Sequence, residues 1–132
     1  MPAIDKLAWI HINDGRLLAA RSRGKDAFFL PGGKRESGES DEEALIREVR
    51  EELTVSLDRD TLRPLHVFEA QAHGQPEGVV VRMTCFTGDY SGTLQPSAEI
   101  EEIAWLTYAD RGRMSLVTRN IVDWLRSRGE MQ

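Results

Sequence analysis

The sequence holds one cysteine, Cys85, in 132 residues, so no internal disulfide can form. That usage fits a reducing cytosol. No apolar run approaches the roughly 20 residues that a membrane-spanning helix needs. No signal peptide, repeat, low-complexity tract or linker is readable. Basic residues are in the minority, 17 Lys and Arg against 22 Asp and Glu, for a net charge of −5. A general binder of nucleic-acid polymer would show a basic footprint, and this chain does not. A nucleotide-type small molecule is not excluded by that charge, because a bound metal ion can supply local positive charge. What is present is ordinary for a globular domain, 40% hydrophobic and 30% charged residues. The expectation is a single cytoplasmic domain over residues 1–132 with a core of its own and no membrane partner. A homodimer is left open.

Read in order, Leu7 to Ile12 is expected to form a strand, Asn13-Asp14-Gly15 a hairpin turn and Leu17 to Arg21 the returning strand. His11 reads as an edge or core histidine, since no second histidine lies near it. A polar loop with Arg23 and Lys25 follows; it either meets substrate or is a solvated connection. Ala27 to Leu30 reads as a short strand leading to Pro31. Leu65 to His73 and Val79 to Gly88 read as strands flanking a loop. In the second of these, Val79, Val81, Met83 and Cys85 share one face and suggest core. Cys85 has no evident base beside it and reads as a small buried apolar residue. Arg82 points the other way, either to a substrate cleft or to solvent. A strand is expected around Ile103 to Leu106. Ser115 is a candidate N-cap for a last helix, with Val117, Ile121, Trp124 and Leu125 on the buried face.

The densest stretch is Gly32 to Val55, GGKRESGESDEEALIREVREELTV. Ser40 with Glu43 three residues on forms a capping box, which predicts a helix over about Asp41 to Leu53. On that helix Glu48, Glu51 and Glu52 fall within an arc of roughly 100°, beside the apolar stripe Leu45, Val49 and Leu53. Three like charges at this spacing repel one another and call for a cation. Hard oxygen ligands of this kind suit Mg²⁺ or Mn²⁺. Gly32 and Gly33, after Pro31, form a turn that lets a carbonyl or a phosphate approach the backbone. Glutamate-rich helices interleaved with arginine are usually just solvated, and the pairs Glu43–Arg47 and Arg47–Glu51 fit that plain reading too.

It is the whole spaced pattern that argues for function. Gly33, five residues, Glu39, seven residues, then Arg47-Glu48-Val49-Arg50-Glu51-Glu52-Leu53-Thr54-Val55 resembles the signature of the Nudix hydrolase family, MutT-like proteins included. The one departure is Thr54, where the signature has glycine. A β-branched residue is penalised in the left-handed conformation that closes most helices, so this helix is expected to end by another geometry or to run on.

The resemblance implies an α/β fold, the Nudix α/β/α sandwich with a mixed sheet. It implies hydrolysis of a nucleoside diphosphate linked to another moiety, with bound Mg²⁺ (or Mn²⁺) activating the attacking water. It assigns Glu48, Glu51 and Glu52 to metal, with the Gly32 carbonyl as a further ligand. Arg47 and Glu39 would orient the carboxylates and the turn. The general base would be Glu51, Glu52 or Glu99. An extra glutamate from before the late strand assists the metal in this family, and Glu99 is the first choice by spacing, with Glu101 and Glu102 as rivals. Arg23, Lys34, Arg35 and Arg82 are the candidate substrate contacts. The expected activity is a pyrophosphohydrolase for nucleoside triphosphates or modified nucleotides. The alternatives are an ADP-ribose or nucleotide-sugar pyrophosphatase and, in another class, a Nudix-fold regulatory module without turnover.

Overall fold

The computed structural model describes residues 3–132. Among the described residues nine strands and two α-helices follow one another: β1 (Ala3–Trp9), β2 (Ile12–Asn13), β3 (Arg16–Ser22), β4 (Gly32–Gly33), α1 (Asp41–Leu53), β5 (Ser56–Leu57), β6 (Arg63–Gln71), β7 (Val80–Thr87), β8 (Tyr90–Ser91), β9 (Ile100–Leu106) and α2 (Leu116–Ser127). The main sheet has the order β4-β1-β7-β6, and β1 runs parallel to β7 while its other neighbours are antiparallel. A second sheet, β2-β3-β9, and a small ribbon, β5-β8, complete the mixed α/β architecture.

Strand alternation sorts the apolar residues into two cores. Ala8, Ile10, Leu17 and Ala19 face one way, with Met83, Cys85, Ile121 and Leu125. Leu7, Trp9, Leu18 and Phe86 face the other way, onto Leu45, Val49 and Leu53 of α1. Successive strand residues point to opposite faces, so a helix on each side yields the sandwich. The expected stripe of α1 is fully buried. Cys85 is buried as expected, and that burial pushes its thiol up to about 12.

Two local rules in the sequence act as written. Ser40 Oγ accepts from the Glu43 N–H while Glu43 Oε1 accepts from the Ser40 N–H at 2.9 Å, and α1 starts there. Asp14 and Gly15 both take positive φ, 56° and 75°, which turns β2 into β3.

Other expectations need correction. Leu7 to Ile12 is not one strand. β1 ends at Trp9, the chain crosses over, and Ile12 belongs to the other sheet. His11 fills the corner, stacked on Trp9 at 4.9 Å between ring centres and flanked by Tyr90 and Trp105. Ala27 to Leu30 makes only two isolated bridges, Ala20 with Phe29 and Phe28 with Met114. Leu65 to His73 starts earlier and stops at Gln71, because the Gln71 side chain turns to hold the following loop at the Pro76 carbonyl and the Gly78 N–H. The late strand begins at Ile100, and Trp124 is half-buried, stacked on His66.

Thr54 is the clearest correction. The helix does end in the left-handed conformation, with φ 62° on Thr54 itself. A tertiary bond offsets the strain: Thr54 Oγ1 donates to the Thr93 carbonyl at 3.0 Å.

Candidate active site

Pairing of β4 with β1 brings Gly32 opposite Ala8 and Gly33 opposite Leu7, and so lays the glycine turn against α1. Gly32 is required there by the backbone, and Gly33 by the resting position of one side chain. A Cβ on Gly32 would strike the Leu7 carbonyl, and one on Gly33 would strike the Glu48 carboxylate. The turn forms one wall of a cleft of about 1080 Å³ that also receives Glu48, Glu51 and Glu52 from α1 and Glu99 from the approach to β9.

Arg47 organises the acidic edge. Its Nε and Nη2 donate to the two oxygens of Glu39 at 2.7 and 2.9 Å, its Nη1 donates to Glu48 at 2.6 Å and Glu51 at 3.0 Å, and Nη2 also reaches the Lys34 carbonyl. Such a fork fixes direction as well as charge. The Arg47 guanidinium, helped by the Glu36 N–H, holds the Glu39 carboxyl down at about 2. Glu48 moves the other way. Burial raises its pKa, against the opposing pull of Arg47. Glu52 is displaced most, pushed up to about 8 by burial and then by Glu48 and Glu51, although the Gly32 N–H donates to it at 3.1 Å.

These observations bear on whether a divalent cation fits. Among the described residues, no three acidic, His or Cys side chains already converge on one point, because Glu48 is turned to Arg47 and Glu52 to Gly32. The donor set is nonetheless all hard oxygen, and burial leaves Glu52 with a charge deficit that a cation would relieve. The Glu48 carboxylate lies where a Cβ on residue 33 would stand, so glycine there leaves it room. The residues therefore fit a divalent ion once the carboxylates turn toward it.

The other expected site residues separate clearly. Glu99 lines the cleft, whereas Glu101 and Glu102 are engaged by Arg21 at 3.3 and 3.2 Å. Lys34 and Arg35 both line the cleft, but Arg35 is committed to Asp5 and Asp41. Two expected contacts are not brought in. Arg82 is exposed on the face of β7 opposite Val81 and Met83, in register between Asp5 and Glu69. Arg23 is exposed and outside the cleft wall; it is its backbone N–H that meets the site, donating to the Glu99 carbonyl at 2.8 Å.

Sequence reasoning missed Lys6, Phe29 and the pair His73–Asp26. Lys6 lines the cleft from β1, and its pKa is lowered by burial and by Lys34. His73 Nε2 lies 3.5 Å from Asp26 Oδ1, bringing together two loops that border the cleft. Only Lys6 left a trace in the sequence, as a charged residue in the inward phase Ile4, Lys6, Ala8.

Comparison with known proteins places this geometry. The NUDIX domain model matches residues 5–125. The structure is similar to the solution structure of the E. coli ORF135 protein (TM-score 0.72, 26% identity, 96% of this chain and 92% of that one). It is similar in fold to a MutT protein from Methanosarcina mazei Go1 (TM-score 0.72, 20%, 97% and 96%) and to a UDP-X diphosphatase (TM-score 0.70, 19%, 98% and 64%). No match was found among curated proteins. The fold is that of the MutT-like Nudix proteins. The chain belongs to the Nudix hydrolase family, whose members act on nucleoside diphosphate-linked substrates and generally use divalent metal ions. Among the described residues, no helix is long and apolar enough to cross a membrane.

Proposed function

We propose that the protein is a Mg²⁺-dependent pyrophosphohydrolase for a nucleoside triphosphate or modified nucleotide, releasing a nucleoside monophosphate and pyrophosphate. One observation carries the reading: the half-buried Glu48 and Glu52 and the exposed Glu51 of α1 open into the same large cleft as the apolar side chains of Ile4, Val81 and Met83. A charged edge beside an apolar trough suits a molecule with phosphates at one end and a base at the other. The cleft volume of about 1080 Å³ accommodates a nucleotide.

In this reading Glu48, Glu51 and Glu52 would hold the metal, and Glu99 lines the same cleft. The chemistry supplied there by a divalent ion would be polarisation of the phosphate and a lowered pKa of the attacking water. Arg47 holds Glu48 and Glu51 in direction while Glu39 holds Arg47, so the ligand edge is preorganised from behind. The general base comes from Glu51, Glu52 and Glu99. Of these, Glu51 is already shared with Arg47, which favours the other two. Lys34 contacts the phosphates.

The test is a panel of nucleoside triphosphates, oxidised nucleotides, ADP-ribose and nucleotide sugars, incubated with Mg²⁺ or Mn²⁺, with products identified. Pyrophosphate plus a nucleoside monophosphate supports the proposal. AMP plus a sugar phosphate would move the chain to ADP-ribose or nucleotide-sugar chemistry. Binding without turnover across the panel would leave the regulatory-module reading.

A further inference from the structure

Most cations near the acidic groups of this protein are already bound by them. Arg21 pairs with Glu101 and Glu102, Arg35 with Asp5 and Asp41, Arg47 with Glu39, Glu48 and Glu51, and Arg111 with Asp123. Lys6 and Lys34 are different. Both line the cleft, Lys34 helps to lower the Lys6 pKa, and among the described residues neither ammonium forms an ion pair. In a chain of net charge −5, two like charges left facing one opening are stabilised by an anion that enters it.

Lys6 also occupies an unusual place. β1 turns Ile4, Lys6 and Ala8 to one side, and Ile4 and Ala8 join the apolar core. A lysine in that phase is half-buried, and its long stem lies along apolar surface while the charged head reaches the opening. The next residue, Leu7, is the register partner of Gly33, so Lys6 stands beside the glycine turn. Glu52 and Glu48 lie within its field but are engaged elsewhere, Glu52 by the Gly32 N–H and Glu48 by Arg47.

We propose that Lys6 is a substrate-positioning residue that binds a non-bridging oxygen of the phosphate nearest the nucleoside, with Lys34 holding a phosphate farther out. Its location assigns it that phosphate: it stands where the acidic edge gives way to the apolar trough of Ile4, Val81 and Met83. Phosphate recognition by an ammonium is a point-charge contact, so it tolerates rotation of the phosphate and suits a cleft that must also admit metal. The inference rests on the proposed nucleotide substrate and names the chain's own group that anchors it.

The test uses Lys6→Gln, Lys6→Met and Lys6→Arg in the whole protein. Binding of a methylene-bridged nucleoside triphosphate analogue is titrated calorimetrically, with Mg²⁺ and with chelator. Lys6→Gln and Lys6→Met are expected to weaken analogue binding on the order of tenfold in both conditions and to raise KM similarly, with kcat changed less. Lys6→Arg restores most of the affinity. Mn²⁺ affinity, read by electron paramagnetic resonance without nucleotide, stays unchanged. Unaltered analogue binding in Lys6→Gln would overturn the proposal. So would a changed Mn²⁺ affinity with unaltered analogue binding, since Lys6 would then serve only as a counter-ion to Glu52. Failure of the functional reading looks different: the wild-type protein would neither hydrolyse the panel nor bind the analogue.

Discussion

Arg47 grips Glu39 through two parallel hydrogen bonds, Nε to Oε2 at 2.7 Å and Nη2 to Oε1 at 2.9 Å, while its remaining nitrogen serves Glu48 and Glu51. One planar group thus joins the loop before α1 to the acidic face of the helix. A lysine cannot reproduce that fork. Arg47→Lys is expected to keep the fold, by circular dichroism, and to lower kcat/KM by about 10- to 100-fold. Full activity in this variant would show that the fork does not position the carboxylates.

Glu52 gives a pH test of the site without metal. Its carboxyl is raised to about 8 in the folded protein. The unfolded value is near 4.3. The folded state therefore holds the proton more tightly. Stability linked to this group is fully present below the unfolded value and is lost as pH rises toward 8. In chelator at pH 8, Glu52→Gln should melt several degrees above wild type, and at pH 4 the two should coincide. Added Mg²⁺ should raise the melting temperature of wild type but not of the variant, and the variant should lose nearly all pyrophosphate release.

The two neighbouring glycines should respond differently to alanine. Gly32 has φ 146°, and a Cβ there meets the backbone of Leu7 and Ala8. Gly32→Ala is expected to cost more than about 2 kcal/mol in urea unfolding, because neither strand can yield. At Gly33 the Cβ meets only the end of the Glu48 side chain. Gly33→Ala should unfold at nearly the wild-type urea concentration yet need several-fold more Mg²⁺ for half-maximal activity. Equal Mg²⁺ requirements would remove Glu48 from the ligand set.

Thr54 holds a left-handed conformation by one side-chain bond to the Thr93 carbonyl. Thr54→Val keeps the backbone strain and loses the bond, so a loss of about 1 kcal/mol or more is expected. Thr54→Gly loses the bond but relieves the strain, and should fall within about 1 kcal/mol of wild type. The reverse order of the two variants would mean that the bond carries little weight.

Local rules were legible in the sequence, and long-range choices were not. The capping box at Ser40 and Glu43, the buried stripe Leu45, Val49 and Leu53, and the Asp14–Gly15 turn depend on neighbours a few residues away. The clustering of Glu48, Glu51 and Glu52 on one edge of α1 is a consequence of helical spacing alone. Strand β4 could not be read, because Gly32 and Gly33 carry no side-chain pattern and pair only through backbone. Nor could the fates of the cations. Arg35 and Arg82 look alike in sequence, yet tertiary contacts give Arg35 to Asp5 and Asp41 while the β7 phase turns Arg82 outward. Lys6 escaped notice because β1 begins at Ala3, four residues before its apolar run.

The parallel ladder between β1 and β7 has a consequence for biosynthesis. Ala3 finds its partner at Val80, and Trp9 finds its partner at Phe86. On the ribosome, this early strand must wait with one edge unsatisfied until Val80 to Phe86 have emerged. Closing so long a loop is entropically costly and slow. The β2–β3 hairpin and the capped first turns of α1 need no such wait. The nascent chain can therefore hold a formed acidic helix before it has the sheet that gives that helix a floor.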